Sequence, residues 1–135
     1  MKEIRLNFYG YTWEEYAFQV SNIKGLFVIY KGQLDKEGFV SLQDILYVGY
    51  HHGIYEMYDE GCMNQIRHFI DPNDRIFLSY SEIPLDVDGK AVETILRNSI
   101  KPRFVRETEM IPSEIEIICD GACALFPEGL ISKES

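Results

Sequence analysis

Two apolar ribbons constrain this chain more than anything else in it. Gly25-Leu26-Phe27-Val28-Ile29-Tyr30 and Ile45-Leu46-Tyr47-Val48-Gly49-Tyr50 are uninterrupted runs rich in β-branched and aromatic residues. Runs of this character read as buried strands, which the rest of the chain has to cover. Between them, Lys31 to Asp44 carries Gly32, Gly38 and several charges and reads as an extended hairpin arm or loop. With 46% hydrophobic and 13% aromatic residues the chain can bury such ribbons, and 135 residues leave room for one domain.

The flanking segments supply the cover. Ile4-Arg5-Leu6-Asn7-Phe8 alternates apolar and polar residues, the pattern of a half-buried strand. Thr12-Trp13-Glu14-Glu15 fits a capping box, which predicts a short helix from Trp13 to Val20. Ile54, Tyr58, Cys62, Ile66 and Phe69 fall at the spacing of an amphipathic helix that tolerates Gly61 and stops before Pro72. Arg75 to Tyr80 reads as a strand with Ile76, Leu78 and Tyr80 on one face and Phe77 on the other. After a turn over Pro84 to Gly89, Val92, Ile95, Leu96 and Ile100 mark a second amphipathic helix ending at Pro102. Ile115 to Cys119 reads as a last short strand, and the polar tail Ile131 to Ser135 is expected to fray. The expected fold class is α/β in the α+β sense, a small antiparallel or mixed sheet flanked by helices. One domain would span residues 1–135, with a strand-helix extension before its core and a short extension after it.

Thirteen Lys and Arg against 22 Asp and Glu leave a net charge of −9. Nucleic-acid affinity is dominated by cations that displace counterions from phosphates, so this balance disfavours DNA as a partner, apart from a local basic cleft at Lys101, Arg103 and Arg106. A protein partner stays open. No apolar run approaches the roughly 18 residues of a membrane span, and the start lacks a secretion signal, so a cytoplasmic protein without a membrane partner is expected. Cys62, Cys119 and Cys123 are an odd number in such a chain and read as reduced thiols. No further Cys or His pair follows at zinc-ligand spacing.

Strand, arm, strand, helix, strand and helix follow one another, with Gly25-Leu26-Phe27 opening the first ribbon and Tyr47-Val48-Gly49 closing the second. Farther on, Ala91-Val92-Glu93-Thr94-Ile95-Leu96 precedes Lys101-Pro102. In this ordered set the chain resembles the GIY-YIG nuclease superfamily over about Gly25 to Val105. Gly53-Ile54-Tyr55 spells the family name but follows the second triplet instead of preceding it, so it is a coincidence at a helix start. The resemblance implies a tyrosine that activates water, an arginine that steadies phosphate charge, and a glutamate that holds one divalent metal, Mg²⁺ or Mn²⁺. It casts Tyr47 as a candidate catalytic group and Glu93 as catalytic and metal-ligating. Gly25, Phe27, Gly49, Lys101 and Arg103 become candidate binding positions, and Phe27, Tyr47 and Glu93 are expected to converge on one shallow pocket.

Several parts of that machinery are missing. Phe27 stands where the family has a tyrosine, Glu56 or Met57 where it has its arginine, and Val105 where it has an asparagine. Loss of a general base costs about 10² to 10⁴ in rate and loss of an electrostatic stabiliser about 10² to 10³. Arg67 points about 80° away from Met57 and lies roughly 15 Å along the helix, so it does not replace the arginine. His51 and His52 follow the second triplet and are candidate bases or ligands, although neighbours on a strand point to opposite faces; a solvent-facing loop pair is the plainer expectation. Glu93 likewise has a plain alternative, a solvated pair with Arg97 one turn on. The expected function is therefore a binding or interaction module with little or no nuclease activity. The alternatives are a divergent metal-dependent endonuclease using Tyr47, His51 or His52 and Glu93, and an acidic protein that sequesters a nucleic-acid-binding partner.

Overall fold

Both ribbons are strands, and they pair with each other. The computed structural model describes residues 2–12, 24–53, 63–104, 115–123, 125–126 and 130–132. The expected helix over 13–20, the first part of the helix from Ile54, and Glu56, Met57, Cys62, Val105 and Arg106 lie outside them. In chain order the elements are β1 (Lys2–Thr12), β2 (Gly25–Leu34), β3 (Val40–His51), α1 (Met63–Phe69), β4 (Arg75–Glu82), α2 (Gly89–Ile100), β5 (Ile115–Gly121) and β6 (Leu130–Ser132). The strands form a mixed six-stranded sheet in the order β3-β2-β4-β1-β5-β6, giving an α+β fold. Every neighbouring pair is antiparallel except β1 and β5.

The segment from Lys31 to Asp44 is the continuation of β2 and β3 into a hairpin, with Leu34 opposite Val40 and a shift of register between Lys31 and Gly32. Asp35 closes its turn: its carboxylate accepts from the amides of Glu37 and Phe39 at 2.9 and 2.8 Å, and Gly38 supplies a φ of +89°. Ile29 faces Tyr47 while Tyr30 faces Ile45, which makes Leu46 the extra residue of a bulge. The bulge turns Leu46 and Tyr47 to the same side.

β2 is covered on both faces, as its lack of alternation requires. Leu26, Val28 and Tyr30 pack with Val92, Ile95 and Leu96 of α2 and with Ile4, Leu6, Phe8 and Ile117. Phe27 and Ile29 pack with Leu46, Tyr47, Leu78, Tyr80 and Ile66 of α1. Successive side chains of a strand point to opposite faces, so α1 and α2 cover opposite sides of the sheet. Asp88 caps α2 by accepting from the Lys90 amide at 3.0 Å, and Lys101, left-handed at φ 54°, closes it with a bond to the Arg97 carbonyl before Pro102.

β1 changes partner midway. Its residues Lys2 to Phe8 pair with β5, and Tyr9 to Thr12 pair with β4. The last short strand read from the sequence is thus followed by another, and the fraying expected from Ile131 onward is corrected at Ile131 and Ser132, which pair with Glu116 and Ile115. No described helix is long and apolar enough to cross a membrane.

Gly25 sits where three strands run close together, between His51 and Glu82. A Cβ there would lie 2.5 Å from the Ser81 carbonyl oxygen, a backbone atom that cannot swing aside. Gly25→Ala is expected to cost about 1–3 kcal/mol, read as a lower urea midpoint, whereas Lys36→Ala in the hairpin turn stays within about 0.5 kcal/mol. Equal midpoints for the two variants would contradict the contact.

Candidate functional site

The second triplet closes over its own glycine. Tyr47 and His51 lie on the same face of β3, and the Tyr47 hydroxyl and His51 Nε2 share a buried hydrogen bond of 2.7 Å. Gly49 between them leaves the space in which they meet: a Cβ would come within 2.5 Å of both atoms. Phe27, opposite Gly49, lies 6.2 Å from the His51 ring and stacks on Tyr80 at 5.9 Å. Tyr80 in turn meets Tyr9 at 6.2 Å. An aromatic row therefore crosses four strands, and Phe27, Tyr47 and His51 are all fully buried in it. The expectation of a solvent-facing histidine pair is corrected for His51, which belongs to the strand. His52 is exposed on the other side, with its ring edge-on to Tyr50 at 5.7 Å.

Glu93 does different work. Among the described residues β3 is the edge strand of the sheet, and no described strand neighbours its outward amides and carbonyls. From α2, the Glu93 carboxylate accepts from the Tyr50 amide at 2.9 Å, and Arg97 Nε donates to the Val48 carbonyl at 2.9 Å. The two side chains are joined at 2.9 Å and are only 6% and 5% exposed. Together they offer the acceptor and donor that a further strand would offer. The backbone of Arg103 and Phe104 extends this seal, donating to the carbonyls of Ile45 and Leu46 at 3.0 and 2.8 Å. The solvated Glu93–Arg97 pair expected from spacing is thus corrected to a buried one, because the apolar stripe of α2 draws both stems against the sheet.

The expected convergence is realised only in part. Phe27 and Tyr47 share one enclosed cluster, while Glu93 is bonded along the strand edge. Arg97 bridges the two regions, its guanidinium carbon 5.8 Å from the Tyr47 ring centroid. Lys90 Nζ stands 3.8 Å from the other Glu93 oxygen. Gly25 is a packing position, and Lys101 is an exposed helix cap. Arg103 is held by Asp44 at 2.8 Å and lies over the Phe69 ring at 4.6 Å. Sequence reasoning passed over Arg97 as a cation near Tyr47; the signal available was its i+4 spacing from Glu93. Among the described residues, no group of three or more His, Cys, Asp or Glu is arranged to hold a metal ion. No family model matches the chain, and neither does any curated protein or solved structure.

Cys119 and Cys123 are free thiols beside Tyr30. Burial, reinforced by Cys123 and Asp120, pushes the Cys119 thiol up to about 12 from an ordinary 9.0. Burial and Asp120 raise Cys123 as well. Burial also raises the Tyr30 phenol, against the bond that Ser79 donates to it. The fold therefore keeps protons that the unfolded chain gives up at lower pH. Stability should be level below about pH 8 and fall as pH rises through 9 toward 12, with a shallower fall in Cys119→Ala. A urea midpoint that stays flat through pH 10 would contradict this.

If Glu93 and Arg97 seal the edge as one unit, Glu93→Ala and Arg97→Ala each strand a buried charge and cost about 3–5 kcal/mol, while the double variant costs clearly less than their sum. Equilibrium unfolding of the four proteins measures this. Single losses under about 1 kcal/mol would mean that the pair contributes little to the edge.

Proposed function

We propose that this chain is a GIY-YIG-like domain that binds without cutting, an interaction module in which the nuclease constellation is incomplete. The observation that carries this reading is the engagement of Glu93. The resemblance gives this carboxylate one divalent ion, yet here a guanidinium lies 2.9 Å from it and a backbone amide donates to the same oxygen. A divalent cation on that oxygen would face the charge of Arg97, so the donor set does not fit Mg²⁺ or Mn²⁺, and no step is routed through a metal. Phe27, in the place of the family's tyrosine, has no hydroxyl and is packed against Tyr80. Tyr47 and His51 are bonded to each other and enclosed, which leaves neither positioned to take a proton from a water on phosphate.

The scaffold half of the reading is supported by order and pairing. The first ribbon lies between the second ribbon and the strand that follows α1, and the helix carrying Glu93 packs back across the two ribbons. The acidic balance of −9 argues against duplex DNA as the bound partner.

The test is hydrolysis itself. Purified protein is incubated with supercoiled plasmid in Mg²⁺ and in Mn²⁺, beside Glu93→Gln, which keeps an oxygen acceptor for the Tyr50 amide. No nicking above the protein-free control is expected from either protein. Nicking by the parent chain that Glu93→Gln abolishes would overturn the reading in favour of a divergent endonuclease.

A further inference from the structure

The change of partner in β1 opens the sheet. Tyr9 to Thr12 pair with β4, but from Phe8 back to Lys2 the strand pairs with β5 on its other side. β4 meanwhile stays with β2 through Ser81 and Glu82. A cleft of about 590 Å³ lies at this split, within the roughly 300–1,000 Å³ of small-molecule sites.

Its lining is unlike the rest of an acidic surface. Arg5 and Lys24 both line it, and Glu82 is the one carboxylate among the described lining residues. Arg5 bridges Glu3 and Asp120 at 3.2 and 3.3 Å, but these groups are all about half exposed, so the pairs hold it weakly and a closer anion can compete. Lys24 Nζ stands 5.8 Å from the centroid of the Tyr50 ring, which also lines the cleft. Tyr9 is 57% exposed although its ring is backed by Tyr80, so one side of it offers a supported aromatic surface. Leu85 stands wholly exposed on the same wall.

We infer that this cleft binds a small aromatic anion of the nucleoside monophosphate class, with its ring against Tyr9 and its phosphate between Arg5 and Lys24. Aromatic stacking supplies a contact that any base can make, and two cations suit a compact anion. The surrounding charge of −9 repels long polyanions, and Glu82 limits how much negative charge the cleft accepts. The inference does not rest on the family resemblance, since neither Tyr47, His51 nor Glu93 lines the cleft.

The experiment is titration of the ¹⁵N-labelled full chain with adenosine 5′-monophosphate, adenosine and inorganic phosphate, followed by amide shifts. The monophosphate is expected to saturate below about 1 mM and to move the amides of Tyr9, Lys24 and Leu85. Adenosine and phosphate alone should each bind at least about tenfold more weakly. Lys24→Glu and Tyr9→Ala change exposed side chains, and each should weaken the monophosphate about tenfold while leaving the remaining spectrum in place. Absence of saturable shifts up to about 10 mM, or binding untouched when Lys24→Glu and Tyr9→Ala are combined, would overturn the inference. Plasmid nicking leaves it standing, and failed nucleotide binding leaves the nuclease question where it was.

Discussion

The outer edge of β3 sets the terms for the rest of the molecule. Its inner half is buried on both faces, so its outward amides and carbonyls cannot turn to water, and each one left unpaired would cost about 1–3 kcal/mol. Four of these groups are met without another strand, by Glu93, Arg97 and the backbone amides of Arg103 and Phe104. A charged pair is a demanding way to close an edge, because both ions lose their hydration. It works here because each ion bonds both to the strand and to the other, so no formal charge is left over. It also closes this inner stretch of the edge to pairing with a further strand.

That role restricts what the same carboxylate can do chemically. A residue whose removal would strand a buried guanidinium is held by stability, whatever its resemblance to a metal ligand. Tyr47 and Gly49 are constrained in a comparable way. The triplet resembles a catalytic signature, yet Gly49 is needed so that two side chains can meet above it, and Tyr47 fills a cluster with Ile66 and Leu78. Packing accounts for these residues without any reaction, and for this reason short motifs of Gly and aromatic residues carry limited chemical information on their own.

What the sequence disclosed follows the range of the interactions. The alternation of Ile4, Leu6 and Phe8, the two ribbons, the faces of Ile76 to Tyr80 and the stripe of α2 are local patterns, and the structure realises each of them. The turn chemistry of Asp35 and Gly38 lies equally close in the chain. By contrast, the bulge at Leu46 depends on the register between two strands, and the parallel pairing of β1 with β5 and the burial of the Glu93–Arg97 pair depend on elements dozens of residues apart. No period in a single segment encodes which strand lies beside it. The i+4 spacing of Glu93 and Arg97 announced contact between them, but their burial followed from how α2 lies across β3.

The partner change in β1 and the aromatic row are two sides of one arrangement. Tyr9 is the first residue of β1 to pair with β4, and its ring is the outer end of a sequence that continues through Tyr80, Phe27 and His51 to Tyr47. Rings backed in this way across paired strands have little freedom left to lose, so a ligand stacking on Tyr9 meets a surface already held in position. The ordering cost that usually erodes the affinity of exposed side chains is thereby reduced. The buried end of the same row gains nothing of the kind, since Tyr47 and His51 are bonded to each other and shut away from solvent. On physical grounds the open end of the row presents a supported aromatic surface to solvent, and the enclosed end, which carries the second triplet, is the part that holds it still.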